Sequence, residues 1–505
     1  MAKIIMVQGT NSNAGKSLTT AALCRIFKQD GYRVAPFKSQ NMALNSYITS
    51  KGLEMGRAQV MQAEAAGIEP DVRMNPILLK PTGEKGSQVV LMGEVYGNMP
   101  YFRDYKEEVK PYILNAFKSL SKEYDIIVIE GAGSPAEINL RKQDVANMGF
   151  AEMVDAPVLL VGDIDRGGVF ASLAGTMLLL GTEDKKRIKA AVINKFRGDI
   201  EILKPGIELF HNKIDLNIIG VIPYLDVDID DEDSLSERLN KTNKKSLIDI
   251  AVIKLPRLSN FTDFNILSML DQVSLRYIDN INNLGNPDMI IIPGTKNTIA
   301  DLKWLKISGL ADEIIERTSN GIPIFGICGG YQMMGRDIID EENVEGGGAE
   351  SGLNLINSTT VFNTAKTRTQ AKGKTSKIKG FFKNLSDLEI SGYEIHMGET
   401  KLNDKENFFG KVQVLTDNSN IKKDGCVKNK VIGTYLHGIF DNGDFTRRLI
   451  ETLLENKGLN INMKNEINLY EYKNKQYDKL ASAFRDSVDM SNIYKMLVDY
   501  KCYDE

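Results

Sequence analysis

Short, unbroken runs of Val, Ile and Leu recur along the chain, each closed by Gly, Pro, Asp or Asn. They are KIIMVQG (3–9), YDIIVIEGAG (124–133), APVLLVGDID (156–165), IKAAVINK (188–195) and LNIIGVIP (216–223). Runs without polar alternation bury both faces of a strand, and the mixed stretches between them, such as 16–30 and 107–123, have room for helices. That alternation demands a parallel sheet covered on both sides, so the fold class is α/β. The pattern stops after Pro223, where DVDIDDEDSLSERLNKTNKKS (226–246) turns acidic and then basic with little to bury, and reads as linker. It resumes at IDIAVIKLP (248–256), PDMIIIPGTKN (287–297) and GIPIFGICGGYQ (321–332). At roughly 100–200 residues per domain, a chain of 505 holds two or three. The expected division is a first α/β domain over 1–230, a linker over 231–247, a second α/β domain over 248–455 and a helical tail over 456–505. Within the second domain, the Gly- and Lys-rich stretch 341–380 is expected to contain an exposed insertion.

Charge excludes several classes of function. Sixty-three Lys and Arg against 67 Asp and Glu leave a net charge of −4, so no overall basic field recruits nucleic acid or an anionic membrane. No apolar run approaches the ~18 residues of a transmembrane helix. The opening MAKIIMVQGTN enters polar loop too soon for a signal peptide. Four cysteines (24, 328, 426 and 502) make no disulfide framework in so long a chain, and no two have metal-finger spacing. A reduced, cytoplasmic protein is expected, with neither nucleic acid nor membrane as partner; the sequence sets no oligomeric state.

The sequence VQGTNSNAGKSLTT (7–20) joins the first strand to the first helix. A glycine-rich loop at that junction aims backbone N–H groups and a helix N-terminus at a phosphate chain. Gly9, Thr10, Asn13 and Gly15 would wrap the phosphates, Lys16 would reach the β- and γ-phosphates, and the Ser17 hydroxyl would ligate Mg²⁺. Five residues separate Gly9 from Gly15, one more than in the usual G-x₄-G-K-[ST]. Other polar groups close strands, where ligands bind in open α/β sheets. Glu130 ends DIIVIE and is placed either to hold the same Mg²⁺ or to cap the next helix. Asp163, Asp165 and Arg166 suit a metal–phosphate or carboxylate site, or a plain turn. Asn194 could bond a purine edge. Lys38, Asn41 and Asn45 lie in FKSQNMALNS, an amide-rich loop fit for a substrate carrying carboxylates and carboxamides.

The second half carries different chemistry. In GIPIFGICGGYQMM (321–334) a strand is followed by Gly326-x-Cys328-x-Gly330 and a helical stretch, the pattern of a nucleophile elbow with Cys in place of Ser. The helix N-terminus favours thiolate. The Gly329 and Gly294 N–H groups are candidate oxyanion donors. A thiol nucleophile needs a base, and the chain has three histidines. His437 ends VIGTYLH in the same half as Cys328 and is the assigned base. His396 in GYEIHMGET is second choice or a substrate contact, and His211 lies on an amphipathic stretch of the first half.

FGICGGYQMMG with TYLHGIF resembles the class I glutamine amidotransferases of the cobalamin-biosynthesis branch, and QGTNSNAGKS with EGAGSPAEINL resembles the dethiobiotin-synthetase-like ATPases. In this order, and with KSQNMALNS, DIDRGGVFAS, INKFRGD and YEIHMGET, the whole chain is similar to the cobyric acid synthase family. The resemblance implies a P-loop NTPase-type domain followed by a flavodoxin-like amidotransferase domain. It implies ATP and Mg²⁺ as cofactors and glutamine and a corrinoid as substrates. Family members amidate the b, d, e and g carboxylates of adenosylcobyrinic acid a,c-diamide. Two alternatives stand beside it: cobyrinic acid a,c-diamide synthase, and a regulatory P-loop ATPase with an inactive amidotransferase domain. The chain departs from most class I amidotransferases at Ile439, where they have the Glu that completes Cys–His–Glu. That leaves a Cys328–His437 dyad, with Asp441 or Glu394 as possible orienting groups.

Overall fold

The computed structural model describes residues 1–81, 86–99, 105–229, 246–403, 407–416, 421–461, 463 and 468–498. They form two compact units. The first contains residues 1–42, 55–229 and 470–498, and the second residues 43–54 and 246–469.

A six-stranded parallel sheet forms the centre of the first unit, in the order Ile218–Pro223, Ile188–Phe196, Val158–Asp163, Lys3–Gly9, Ile126–Glu130, Val34–Phe37. The Val/Ile/Leu runs fall on these strands, and Lys3–Gly9, Ile126–Glu130 and Val158–Asp163 are buried almost throughout, as helices on both faces require. Register matters more than composition here. Val7 lies beside Glu130, Gly9 beside Val161 and Asp163 beside Asn194, so the polar strand ends converge on one edge. A smaller four-stranded sheet (Gln40–Met42, Ile77–Pro81, Ser87–Leu91, Glu94–Met99) completes the unit with its helices.

In the second unit, five parallel strands and one antiparallel edge strand run in the order Val273–Ile278, Ile248–Ile253, Met289–Ile292, Ile324–Ile327, Val431–Thr434, Cys426–Lys428. Ile327, just before the expected nucleophile, lies beside Thr434. The α/β class is therefore as read from the sequence.

Three features differ from expectation. The exposed insertion expected in 341–380 covers only part of that stretch: residues 341–351 are exposed or half-buried, but the chain then enters a sheet. Ser358–Thr375 is a long strand paired antiparallel with Glu389–Leu402, inside a second sheet. Ser358, Thr360 and Phe362 are buried, and so are Thr369, Ala371 and Thr375. The two sets are out of phase because the register shifts between Phe362 and Thr367, which hides the period-two signal. The C-terminal helices Leu469–Ser487 and Met490–Val498 are no tail: Leu480, Phe484, Ile493 and Leu497 share a core with Ile5 and Val7 of the first unit. Finally, the segment 43–54 belongs to the second unit although it sits early in the sequence. Most of the expected linker, and Cys502, lie outside the described residues. No helix among the described residues is long and apolar enough to cross a membrane.

Candidate active sites

In the first unit the loop 9–17 leaves the central strand and opens the helix Lys16–Gln29. Asn13 (φ 62°) and Gly15 (φ 100°) adopt left-handed backbone. A Cβ on Gly15 would come within 2.0 Å of Asn194 Nδ2, so only glycine fits. Asn194 Nδ2 donates to Ala14 O at 2.9 Å. This donor is thus used in holding the loop, where the sequence suggested a purine contact. Asp163 acts on the same loop at one remove: its Oδ2 accepts from Lys195 Nζ at 2.8 Å, and Lys195 Nζ donates to Asn13 O at 2.6 Å. Asp163 Oδ1 accepts from the Asp165 N–H, and Asp165 pairs with Arg197 Nε at 3.1 Å. Arg166 is exposed in the same turn. Thr10 donates its N–H to Val161 O.

Glu130, fully buried at the end of its strand, gathers the rest. Its Oε1 accepts from Ser17 Oγ and from Lys38 Nζ, both at 2.9 Å, and its Oε2 accepts from Gln62 Nε2. Lys16 Nζ donates to Asn11 O at 3.0 Å and Gly133 O at 2.9 Å. Lysine, hydroxyl and carboxylate therefore stand together beside the glycine-rich loop. Asn41 Nδ2 donates to Gln59 Oε1 at 3.1 Å, one turn of helix from Gln62. The sequence reading missed Gln59, Gln62 and Lys195. The two glutamines lie on a helix, Arg57–Ala66, whose burial on nearly every face gives no amphipathic signal. Asn45, grouped with Lys38 and Asn41 by sequence, belongs to the second unit, where its side-chain amide is buried without a hydrogen-bond partner.

In the second unit Cys328 sits between the strand Ile324–Ile327 and the helix Gly329–Met333 at φ 50°, ψ −109°. Such a backbone is costly for a non-glycine residue and persists only where its surroundings enforce it. Part of that enforcement is close approach, since a Cβ on Gly330 would lie 1.9 Å from Ile292 O. The thiol lies 3.7 Å from Ile395 O, and the sulfur stands close enough to the His437 ring to raise its pKa. His437 Nδ1 lies 2.7 Å from Asp263 Oδ2, and Asp263 Oδ1 accepts the Gly438 N–H at 3.0 Å. Burial alone would lower the His437 pKa, but the charge and hydrogen bond of Asp263, together with Cys328, outweigh it and raise it to about 10.

Gly294 and Gly329, the expected oxyanion donors, lie close to this pair in the fold. A Cβ added to Gly294 would come within 2.9 Å of His437 Cε1, and one added to Gly329 within 3.2 Å of Thr295 N.

Asp263 corrects the search for an orienting group. Glu394 instead bonds His396 Nε2 at 3.1 Å and Lys422 Nζ at 2.5 Å. Asp441 lies in the turn after His437, with its N–H on Gly438 O. His396 stacks on Tyr435 at 3.8 Å between ring centroids and bonds Gly398 O through Nδ1, so neither ring nitrogen addresses Cys328. His211 Nε2 accepts the Ile218 N–H in the first unit.

Residues 5–239 match the family model of the CobQ/CobB/MinD/ParA nucleotide binding domain, and residues 249–445 match that of the CobB/CobQ-like glutamine amidotransferase domain. The chain is 57% identical to a cobyric acid synthase of Ruminiclostridium cellulolyticum, over 98% of this chain and 97% of that one. It is 54% identical to one of Lachnoclostridium phytofermentans (98% and 99%) and 49% to one of Listeria monocytogenes (98% and 97%). One nucleotide-binding domain and one amidotransferase domain in this order, matched end to end by such relatives, have one reading: the chain belongs to the cobyric acid synthase family, glutamine-dependent amide ligases of cobalamin biosynthesis.

Proposed function

We propose that the protein converts the b, d, e and g carboxylates of adenosylcobyrinic acid a,c-diamide to amides, using ATP and glutamine. The observation that carries this reading is the pairing, in one chain, of a Cys328–His437–Asp263 array with a phosphate loop whose Ser17, Lys38 and Gln62 converge on Glu130. One centre frees ammonia from glutamine and the other activates a carboxylate, so amidation with glutamine as the nitrogen source needs both.

In the glutaminase reaction the Cys328 sulfur attacks the side-chain carbonyl of glutamine. The N–H groups of Gly294 and Gly329 take up the developing oxyanion, and His437 gives a proton to the departing ammonia. Asp263 holds the imidazole in the tautomer and orientation that this transfer needs. Water, deprotonated by His437, then releases glutamate from the thioester.

In the synthetase reaction a corrinoid carboxylate oxygen attacks the γ-phosphorus of ATP, ADP leaves, and an acyl phosphate forms. Ammonia adds to its carbonyl carbon, loses a proton, and phosphate departs, leaving the carboxamide. Lys16 and the N–H groups of the loop between Gly9 and Gly15 bind and orient the phosphates, while the Thr10 N–H, expected among them, is held by Val161 O. Lys38, with Asn41, offers a cation and an amide to the incoming carboxylate.

Ser17 Oγ and Glu130 Oε1 lie 2.9 Å apart and are hard oxygen donors, which suits Mg²⁺, an ion that takes one or two protein oxygens and fills its shell with phosphate and water. Bound there, it would neutralise charge on the β- and γ-phosphates. Asp163 with Lys195, and Asn194, keep the loop in shape for this work.

The test is mass spectrometry of corrinoids incubated with the enzyme, ATP, Mg²⁺ and glutamine labelled with ¹⁵N in the amide. Four labelled carboxamides on the a,c-diamide are expected; an unchanged corrinoid with ATP consumed would sink the reading.

A further inference from the structure

His437 is held by more than Asp263. Its backbone and that of Tyr393 exchange both hydrogen bonds, Tyr393 N–H to His437 O at 3.1 Å and His437 N–H to Tyr393 O at 2.9 Å. The two rings stack at 5.4 Å with 21° between planes. The Tyr393 hydroxyl donates to Ser46 O at 3.2 Å and accepts from Asn260 Nδ2 at 2.8 Å; Asn260 Nδ2 also donates to Ser46 O at 3.2 Å. Asn260 begins the turn that delivers Asp263 to the imidazole, with φ 53° and its carbonyl accepting the Asp263 N–H at 3.0 Å. Two supports of the base, the stacked ring and the aspartate turn, are thus tied to one carbonyl. The Ser46 carbonyl uses both lone pairs, the Asn260 amide both N–H groups, and the phenol its donor and an acceptor site. Such a closed buried network fixes a single arrangement.

We propose that Tyr393 and Asn260 are positioning residues for His437, locked by the carbonyl of Ser46. The proposal rests on His437 being the glutaminase base. The segment that supplies this carbonyl, 43–54, is an early stretch of sequence whose neighbours on both sides belong to the first unit. The second α/β run of the sequence therefore lacks one component of its own active site.

The positioning acts on the His437–Asp263 bond. The titratable groups against the imidazole are Asp263 at Nδ1, the Cys328 thiol and the stacked Tyr393 phenol. Loosening the ring weakens its pairing with Asp263, so the imidazolium loses its proton at lower pH. The alkaline limb of the glutaminase pH profile should then move down.

The experiment uses the full chain and measures glutamate release across pH for wild type, His437→Gln, Tyr393→Phe and Asn260→Gly. Tyr393→Phe keeps the stacked ring and removes the hydroxyl; Asn260→Gly keeps the left-handed backbone and removes the amide. Each should lower kcat about tenfold with KM within a factor of about two, and shift the alkaline limb down. The double variant should lose little more than either single one, because both act through the same carbonyl. Amidation from ammonium salt should stay at the wild-type rate. Glutaminase retained in His437→Gln would show that the base is misassigned. If His437→Gln is inactive but both other variants keep wild-type kcat, or lose it with an unmoved limb, the positioning role is overturned. Should Tyr393→Phe fail to fold, Asn260→Gly decides alone.

Discussion

Asp263 Oδ2 lies 2.7 Å from Nδ1 of His437, across 174 positions of sequence. The relationship supplies the acid that the sequence around His437 lacks. With Ile439 where an orienting glutamate would stand, the carboxylate comes from the 3₁₀ turn Phe261–Phe264 instead. The chemistry needs a buried carboxylate at Nδ1; it does not need one at any particular distance along the chain.

Asp263→Asn should therefore cost glutamine hydrolysis about 10²- to 10⁴-fold in kcat, the scale seen when a catalytic imidazole loses its acid. Its pH profile should change too. Pairing raises the His437 pKa to about 10 from an ordinary ~6.5, so the charged ring persists up to that pH in the wild type. Removing the Asp263 charge lowers the folded pKa, and the alkaline limb should retreat toward neutrality. The linked contribution to stability, complete below the unfolded value and lost as pH rises through the folded one, should shrink over the same window. A limb that stays near pH 10 in Asp263→Asn would assign the raised value to some other group.

The comparison of sequence with structure shows which signals are local. The phosphate loop at 9–17 and the elbow at Cys328 were legible because each is a continuous motif at a strand–helix junction, where glycine spacing reports backbone geometry directly. Glu130 was legible because it closes a buried strand. Asp263, Gln62 and Lys195 were not, since each acts through a fold contact to a residue far away in sequence. Asn45 and His396 show the converse: both sit in conspicuous strings, yet the fold takes Asn45 into the other unit and turns both His396 ring nitrogens toward Glu394 and Gly398, away from the role of base.

The helices at the C-terminus give a stability prediction. Phe484 is buried among residues of the first unit's core, and Arg25 bonds Asp478 at 2.8 Å and Asn474 at 2.9 Å. Phe484→Ala should destabilise that unit by about 3–5 kcal/mol through lost burial and the cavity left behind. In a thermal melt, the transition that responds to added ATP should move down, while glutamine hydrolysis near room temperature persists. A melt unchanged by the substitution would mean that these helices do not belong to the nucleotide-binding unit's cooperative core.

Lys16→Ala tests the phosphate loop. Lys16 is buried with its ammonium between the Asn11 and Gly133 carbonyls. Every route to the amide passes through the activated carboxylate, so the substitution should abolish amidation with glutamine and with ammonium salt alike. Glutamate release without ATP should be spared. Near-normal ammonia-dependent product in Lys16→Ala would refute the role assigned to the loop.

Cys328→Ala separates the two reactions. In the proposed mechanism the sulfur serves only to liberate ammonia, and carboxylate activation uses Lys16, Ser17, Lys38 and Glu130, none of which depends on a thiol. Removing a nucleophile costs its own step several orders of magnitude, because no neighbouring group replaces the attack. Glutamine-dependent amidation should therefore vanish. The acyl phosphate, however, reacts with NH₃ from any source, so the variant should still amidate from high concentrations of ammonium salt. That reaction should speed up as pH rises and more of the salt is present as NH₃. The measurement is product formation by wild type and variant with each nitrogen source, with circular dichroism as the control for folding. Equal failure with both sources in a folded variant would mean that Cys328 also supports the synthetase reaction. Equal success with glutamine would mean that it is not the nucleophile.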